Sequence, residues 1–146
     1  MIELKTAAAF SAIFGFIGLI ASAFADLLGG YDVALEHLLL FMVIDFVAGT
    51  IVAAVGKSDK TESGKISSGA MLHGFAKKIV MILVVIFFNG IDTLFEIDYV
   101  RNAIIYAFIL YEGTSILEHA VAVGLPKSLG KFKFIIENLF DVNQKK

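Results

Sequence analysis
The sequence has no cysteine and no tryptophan, and one proline in 146 residues. Without cysteine there is no disulfide framework, no thiolate metal site and no cysteine nucleophile. The formal net charge of −2 is too small to point to a polyanionic or polycationic partner. No Gly-rich phosphate loop is present. His73, His119 and the acids lack a metal-ligand spacing such as HExxH. Ser115, Glu118 and His119 supply the residue types of a triad but lie within two turns of one segment, where they cannot converge on one another. The lysines border apolar blocks, which argues against a nucleic-acid site. These absences predict a protein that is no enzyme and carries no cofactor or metal.

What is present is hydrocarbon. The chain is 58% hydrophobic, with a mean hydropathy of +0.85 and fourteen phenylalanines; soluble domains hold ~45–50% apolar residues. A membrane-crossing helix needs ~20 mostly apolar residues. The blocks predict spans at about 7–28, 35–55, 79–95 and 102–124. The first is too long for the apolar region of a signal sequence and is followed by further spans. Gly29 and Gly30 end it, and Pro126 ends the fourth. The third is the weakest, because it contains Asn89 and Asp92. The stretch 56–68, GKSDKTESGKISS, is expected to be a mobile polar loop within a connection reaching residue 78. The predicted fold is an all-α integral membrane protein of one domain, residues 1–146. It has four transmembrane helices and a short cytoplasmic amphipathic C-terminal helix. In that tail, 127–146, Leu129, Phe132, Ile135, Ile136, Leu139 and Phe140 follow helical spacing. Lysines run alongside, as suits a helix lying on an anionic leaflet.

Lysine placement sets the orientation. Lys57, Lys60, Lys65, Lys77 and Lys78 crowd the connection between the second and third spans. Lys127, Lys131, Lys133, Lys145 and Lys146 follow the fourth. The other two connections carry Asp32, and Glu96 and Asp98 with Arg101. Short Lys-rich loops stay in the cytoplasm, so both termini are expected there, with Lys77, Lys78, Lys131 and Lys133 at the membrane interface. An even number of spans follows.

Polar residues inside the blocks are the candidates for function, because charge at the bilayer centre costs ~2.5–3.5 kcal/mol on insertion scales. Asp45 interrupts LLLFMVIDFVAGTIVAAV. On the fourth span Arg101, Tyr111, Glu112, Ser115, Glu118 and His119 fall within about a third of the helix circumference at 100° per residue. Measured at ~1.5 Å per residue from the outer ends, Asp45 and Glu112 reach similar depth near the midplane. With no basic residue beside them, either one is protonated or both face water. Glu118 lies nearer the cytoplasm, within reach of Lys77 or Lys78. The first span shows a stripe of small residues, including Gly15, Gly18 and Ser22, opposite Phe10, Phe14, Ile17 and Phe24. Such a stripe permits close helix approach, either to this chain's own spans or to another copy.

Three stretches then carry a resemblance: DFVAG at 45–49, SSGAMLHGFAKK at 67–78 and YEGTSILEHAVAVGLP at 111–126. Together they resemble the phage lysis and toxin-secretion holin family. Asp45, Gly49, Ser68, Gly74, Lys78, Glu112, Ser115, Glu118, Gly124 and Pro126 match its pattern over roughly residues 35–130. Lys127-Ser128 stand where a second proline is frequent, and no second Met follows Met1 closely, so a dual-start timing device is not expected. The resemblance implies a homo-oligomer in the bacterial cytoplasmic membrane. It would form lesions or pores that release a cell-wall hydrolase, bacteriocin or toxin. A small four-helix ion channel or proton-coupled exchanger, or an antiholin, is the alternative. The lysine distribution yields a direct expectation. Reporter fusions after Lys146 and within 56–68 should both register cytoplasm; opposite sides would mean that the third span does not cross.

Overall fold
The computed structural model describes residues 2–131. The predicted tail beyond residue 131, Lys133 included, lies outside the described residues. Four long helices are present: α1 Ile2–Leu27, α2 Val33–Ala54, α3 Ser68–Phe95 and α4 Val100–Ala122, followed by a 3₁₀ turn, Lys127–Gly130. The described residues contain no strand. Among the described residues three helices are long and apolar enough to cross a membrane: Phe10–Leu27 within α1, α2 and α3. α4 has 23 residues, ample for a ~30 Å core at ~1.5 Å per residue, but Arg101, Glu112 and Glu118 lower its apolar character.

The third helix differs from its expected bounds. It starts at Ser68 rather than near residue 79, so 68–78 is helix and not connection. Polar residues at its start hid its length from a hydropathy reading. The polar segment before it folds on itself. Ser58 N–H donates to the Gly64 carbonyl at 2.9 Å and Gly64 N–H to Thr61 at 3.0 Å. The Thr61 hydroxyl donates to the Lys65 carbonyl at 2.9 Å.

Local chemistry explains the ends. Asp32 caps α2 by accepting the Leu35 amide at 2.8 Å, a role suited to a short carboxylate. Beyond α2, Gly56 takes φ +73, which lets the Lys57 amide reach back to Val52 at 3.0 Å, a closure that favours glycine. The first turn of α4 begins against α3. The Asp92 carboxylate accepts the amides of Val100 and Arg101 at 3.1 and 2.9 Å, satisfying donors that the start of any helix leaves open.

The body consists of α2, α3 and α4. Leu35, Leu38 and Met42 of α2, Met81 and Val85 of α3, and Ile105 of α4 form the buried core, joined by Leu28 after α1. α1 stands apart. Its residues from Phe10 to Phe24 are exposed, and a side chain at Gly15 or Gly18 would meet nothing within 4 Å. Packing of the small-residue stripe against this chain's own spans is therefore not what the protomer shows; Ser22 is likewise exposed.

α1 is tied down at its end. Arg101, 5% exposed, donates through Nε to the Leu28 carbonyl and through Nη2 to that of Gly30 at 3.1 Å. Asn89 donates to the Leu27 carbonyl at 3.1 Å. A cation beside the last carbonyls of a helix also complements its dipole. The same guanidinium holds the α2 cap, with Nη1 2.6 Å from Asp32 Oδ2. Burial opposes ionisation of Asp32, but Arg101 and the Leu35 amide outweigh it and hold the carboxyl below its usual range. Gly29 threads this knot at φ +83, and a Cβ there would sit 2.8 Å from Arg101 Nε and closer still to Asn89. Gly29→Ala is expected to destabilise the detergent-solubilised protein by ~1–3 kcal/mol, from the positive φ and the clash together. Gly15→Ala should be neutral or stabilising, because alanine favours a helix interior. Thermal unfolding followed by circular dichroism separates the two.

Candidate functional site
Asp45 lies nine residues before the end of α2 at Ala54, and Glu112 ten before the end of α4 at Ala122. Lys78 lies ten after the start of α3 at Ser68. At ~1.5 Å per residue all three reach ~15 Å from the loop-side ends of their helices. They meet there. Lys78 Nζ donates to Asp45 Oδ2 at 2.9 Å and to Glu112 Oε2 at 2.6 Å. Glu112 is 1% exposed. The two acids therefore share a basic neighbour, contrary to the expectation that none stood beside them. The Lys78 ammonium group is largely buried between α2, α3 and α4. Its spacing to Met81, Val85 and Asp92, the buried residues of α3, is the signal that would have placed it there.

His119 extends the site toward the loop side. Its Nε2 stands 3.4 Å from Asp45 Oδ1, and neither atom has a closer hydrogen-bond partner among the described residues. Gly49 makes this approach possible, since a Cβ there would come within 3.1 Å of His119 Nε2. Ser115 is half-buried on the same side of α4. Glu118 and Tyr111 point outward and are exposed. The polar face expected on α4 thus divides. Arg101, Glu112 and His119 turn inward, whereas Tyr111 and Glu118 do not. Lys77, next to Lys78, is exposed. It donates to the Tyr111 hydroxyl and lies 4.2 Å from that ring's centroid. Lys131 is exposed just beyond the 3₁₀ turn.

A cleft of about 70 Å³ leads to this cluster from the loop between α2 and α3. Ser58, Lys60, Thr61, Ile66 and Ser67 form its mouth; Asp45, Gly49, Lys78 and His119 line it further in. A water needs ~10–15 Å³ of such space and polar partners, both of which the cleft supplies. Among the described residues no group of three or more metal-binding side chains assembles.

Fold and site together define a small helical membrane protein with a charged cluster between three of its helices. Residues 22–141 match the model of the bacteriophage holin family, and the chain belongs to that family. Similar proteins include an uncharacterized 14.9 kDa protein in the nagH 3' region of Clostridium perfringens, 30% identical over 73% of this chain and 77% of its own length. The uncharacterized protein Lmo0128 of Listeria monocytogenes is 29% identical, over 77% of this chain and 75% of its own. The uncharacterized protein BH0965 of Halalkalibacterium halodurans is 32% identical, over 73% of this chain and 78% of its own. No solved structure matches the chain.

Removal of the shared cation tests the site. Lys78→Met leaves two buried carboxylates without a counter-charge, and loss of one partner from a buried ion pair costs ~3–5 kcal/mol. The variant should unfold at lower denaturant in micelles, and Lys78→Met combined with Asp45→Asn and Glu112→Gln should recover most of the loss. No recovery would mean that Lys78 acts through its packing.

Proposed function
We propose that the protein is a holin, assembling as a homo-oligomer in the bacterial cytoplasmic membrane and breaching it to release a cell-wall hydrolase or toxin. Family membership over residues 22–141 supports the class. The carrying observation from the structure is the Lys78–Asp45–Glu112 cluster, contributed by three different helices at one depth. Charges at that depth are uncommon and costly unless paired or wetted. In the protomer they are paired. When the helices move apart, the same groups become the polar lining of a water-filled lesion.

In this reading α4 is the fourth span and both ends are cytoplasmic, which accords with the lysine distribution. α4 enters the bilayer because Arg101 and Glu112 turn inward and are buried. The exposed side of α1, with Gly15 and Gly18, is available to a second copy, and small residues there allow close backbone approach. In the same reading Lys131 stands at the inner interface.

Controlled expression in a bacterial host, with and without a co-expressed endolysin, tests the function. Abrupt lysis only in the presence of endolysin is the expected result. Asp45→Asn with Glu112→Gln keeps much of the hydrogen bonding and removes both charges; it should insert normally and release endolysin late or not at all. Wild-type timing in that variant, with loss only for the leucine replacements, would reduce the acids to structural contacts. Absence of lysis combined with delay of another holin would favour an antiholin, and ion-specific growth arrest a channel or exchanger.

A further inference from the structure
The 56–67 loop roofs the cleft that reaches Asp45, Lys78 and His119. Ser58, Lys60, Thr61, Ile66 and Ser67 wall that cleft. Ser58, Thr61 and Ser67 are half-buried over it, whereas Lys60 and Ile66 are exposed. Two glycines draw the roof together. Gly56 takes φ +73 and Gly64 φ +68, and the Ser58 amide donates to the Gly64 carbonyl at 2.9 Å. The two backbones come so close that a Cβ at Gly64 would collide with the Gly56 carbonyl oxygen and stand 3.0 Å from its carbon. A residue without a side chain makes that approach, in a left-handed conformation, at no steric cost. Within the fold so closed, the Gly64 amide donates to the Thr61 carbonyl at 3.0 Å and the Thr61 hydroxyl to that of Lys65 at 2.9 Å. Among the described residues, the hydrogen bonds of 58–65 all close within the loop. None ties that stretch to α3 or α4. A segment held only by its own bonds opens at low free energy and leaves the packed body intact.

We propose that the loop is a cover, shut by the approach of Gly64 to Gly56, and that its opening sets how freely water reaches the cluster around Lys78. Entering water finds partners at once. Asp45 and His119 line the cleft, and Asp45 Oδ1 and His119 Nε2 are buried without a hydrogen-bond partner among the described residues. Buried polar atoms are almost always satisfied, by protein or by water. A role for the cover in lysis rests on the holin reading. Access to the cleft does not: it is a property of the purified protein.

The chain has no cysteine, so single thiols report on access directly. Ala53→Cys lies in the cleft wall; Asp59→Cys is exposed on the loop and outside the cleft. Each full chain is reacted in micelles with a small charged methanethiosulfonate. Gly64→Ala is expected to speed the reaction at residue 53 about tenfold, because strain at a left-handed non-glycine residue weakens the closed form by that order. The rate at residue 59 should not change. An unaltered rate at residue 53, or equal acceleration at both positions, overturns the cover. Should Gly64→Ala fail to fold, Thr61→Val takes its place. Loss of the hydroxyl's bond to Lys65 should speed residue 53 about threefold, and no change overturns the proposal. Lysis is read separately. Early lysis by Gly64→Ala, still dependent on endolysin, supports both readings; faster labelling without lysis in either chain supports the cover and removes the holin.

Discussion

The ammonium group of Lys78 held between Asp45 and Glu112 is the contact on which the arrangement of the three-helix body depends. In lipid, apolar side chains gain little by leaving the tails for one another, because both surroundings are equally apolar. Leucines and valines can fill a helix interface without selecting it. A charge that must find its partner does select. Lys78 fixes which side of α3 faces inward, and Met81, Val85 and Asp92 follow at intervals of three, four and seven residues. Asp45 does the same for α2, whose buried positions are Leu35, Leu38, Met42, Asp45 and Val52. Glu112 does so for α4, together with Arg101, Ile105 and His119. One triad thus sets the rotation of all three helices.

Arg101 performs the corresponding task at the other end of the body. It joins the carbonyls of Leu28 and Gly30 to the Asp32 cap of α2, while its own amide is held by Asp92 of α3. A cation at the start of α4 opposes that helix's dipole, and the Asp92 carboxylate at the same place offsets the conflict. Between the two clasps lies the apolar core. α1 is bound through its last turn and through the glycine turn that follows. Its described side chains from Phe10 to Phe24 are exposed, so the three-helix body does not cover that part of the helix.

The four long helices, the ends at Gly29 and Gly30, and the inward position of Asp45 and Glu112 were legible in the sequence, because long apolar blocks and isolated acids are strong signals. The length of α3 was not. Ser68, His73, Lys77 and Lys78 lower hydropathy over turns that are nonetheless helical, and a polar count cannot distinguish a loop from a helix with a polar start. Treating Lys78 as loop hid the counter-charge of the two acids and suggested that they needed protonation or water. Heptad-like spacing from Lys78 to Asp92 carried the missing information. The pairing of His119 with Asp45 depends on the absence of a side chain at Gly49, a relation between two helices that one-dimensional spacing does not express. Arg101 stood out as a charge on α4, but its targets are mostly backbone carbonyls, which leave no trace in residue type.

The charges also constrain how the body can come apart. Two unit charges ~4 Å apart attract by ~4 kcal/mol at the effective dielectric of a protein but only ~1 kcal/mol in water. Lys78 is engaged twice, so drawing α3 away from α2 and α4 into lipid would break two strong contacts and leave three charges in hydrocarbon. Drawing it away into water would replace them with hydration. The same residues therefore oppose dry separation and permit wet separation. The cleft beneath the 56–67 loop already brings a polar path to Asp45, Lys78 and His119, so hydration can begin there without first dismantling the core. Under the proposed holin function, the step from closed bundle to lesion is coupled to entry of water. The number of buried charges sets how sharp that coupling is, because each charge left unpaired in lipid adds its own penalty.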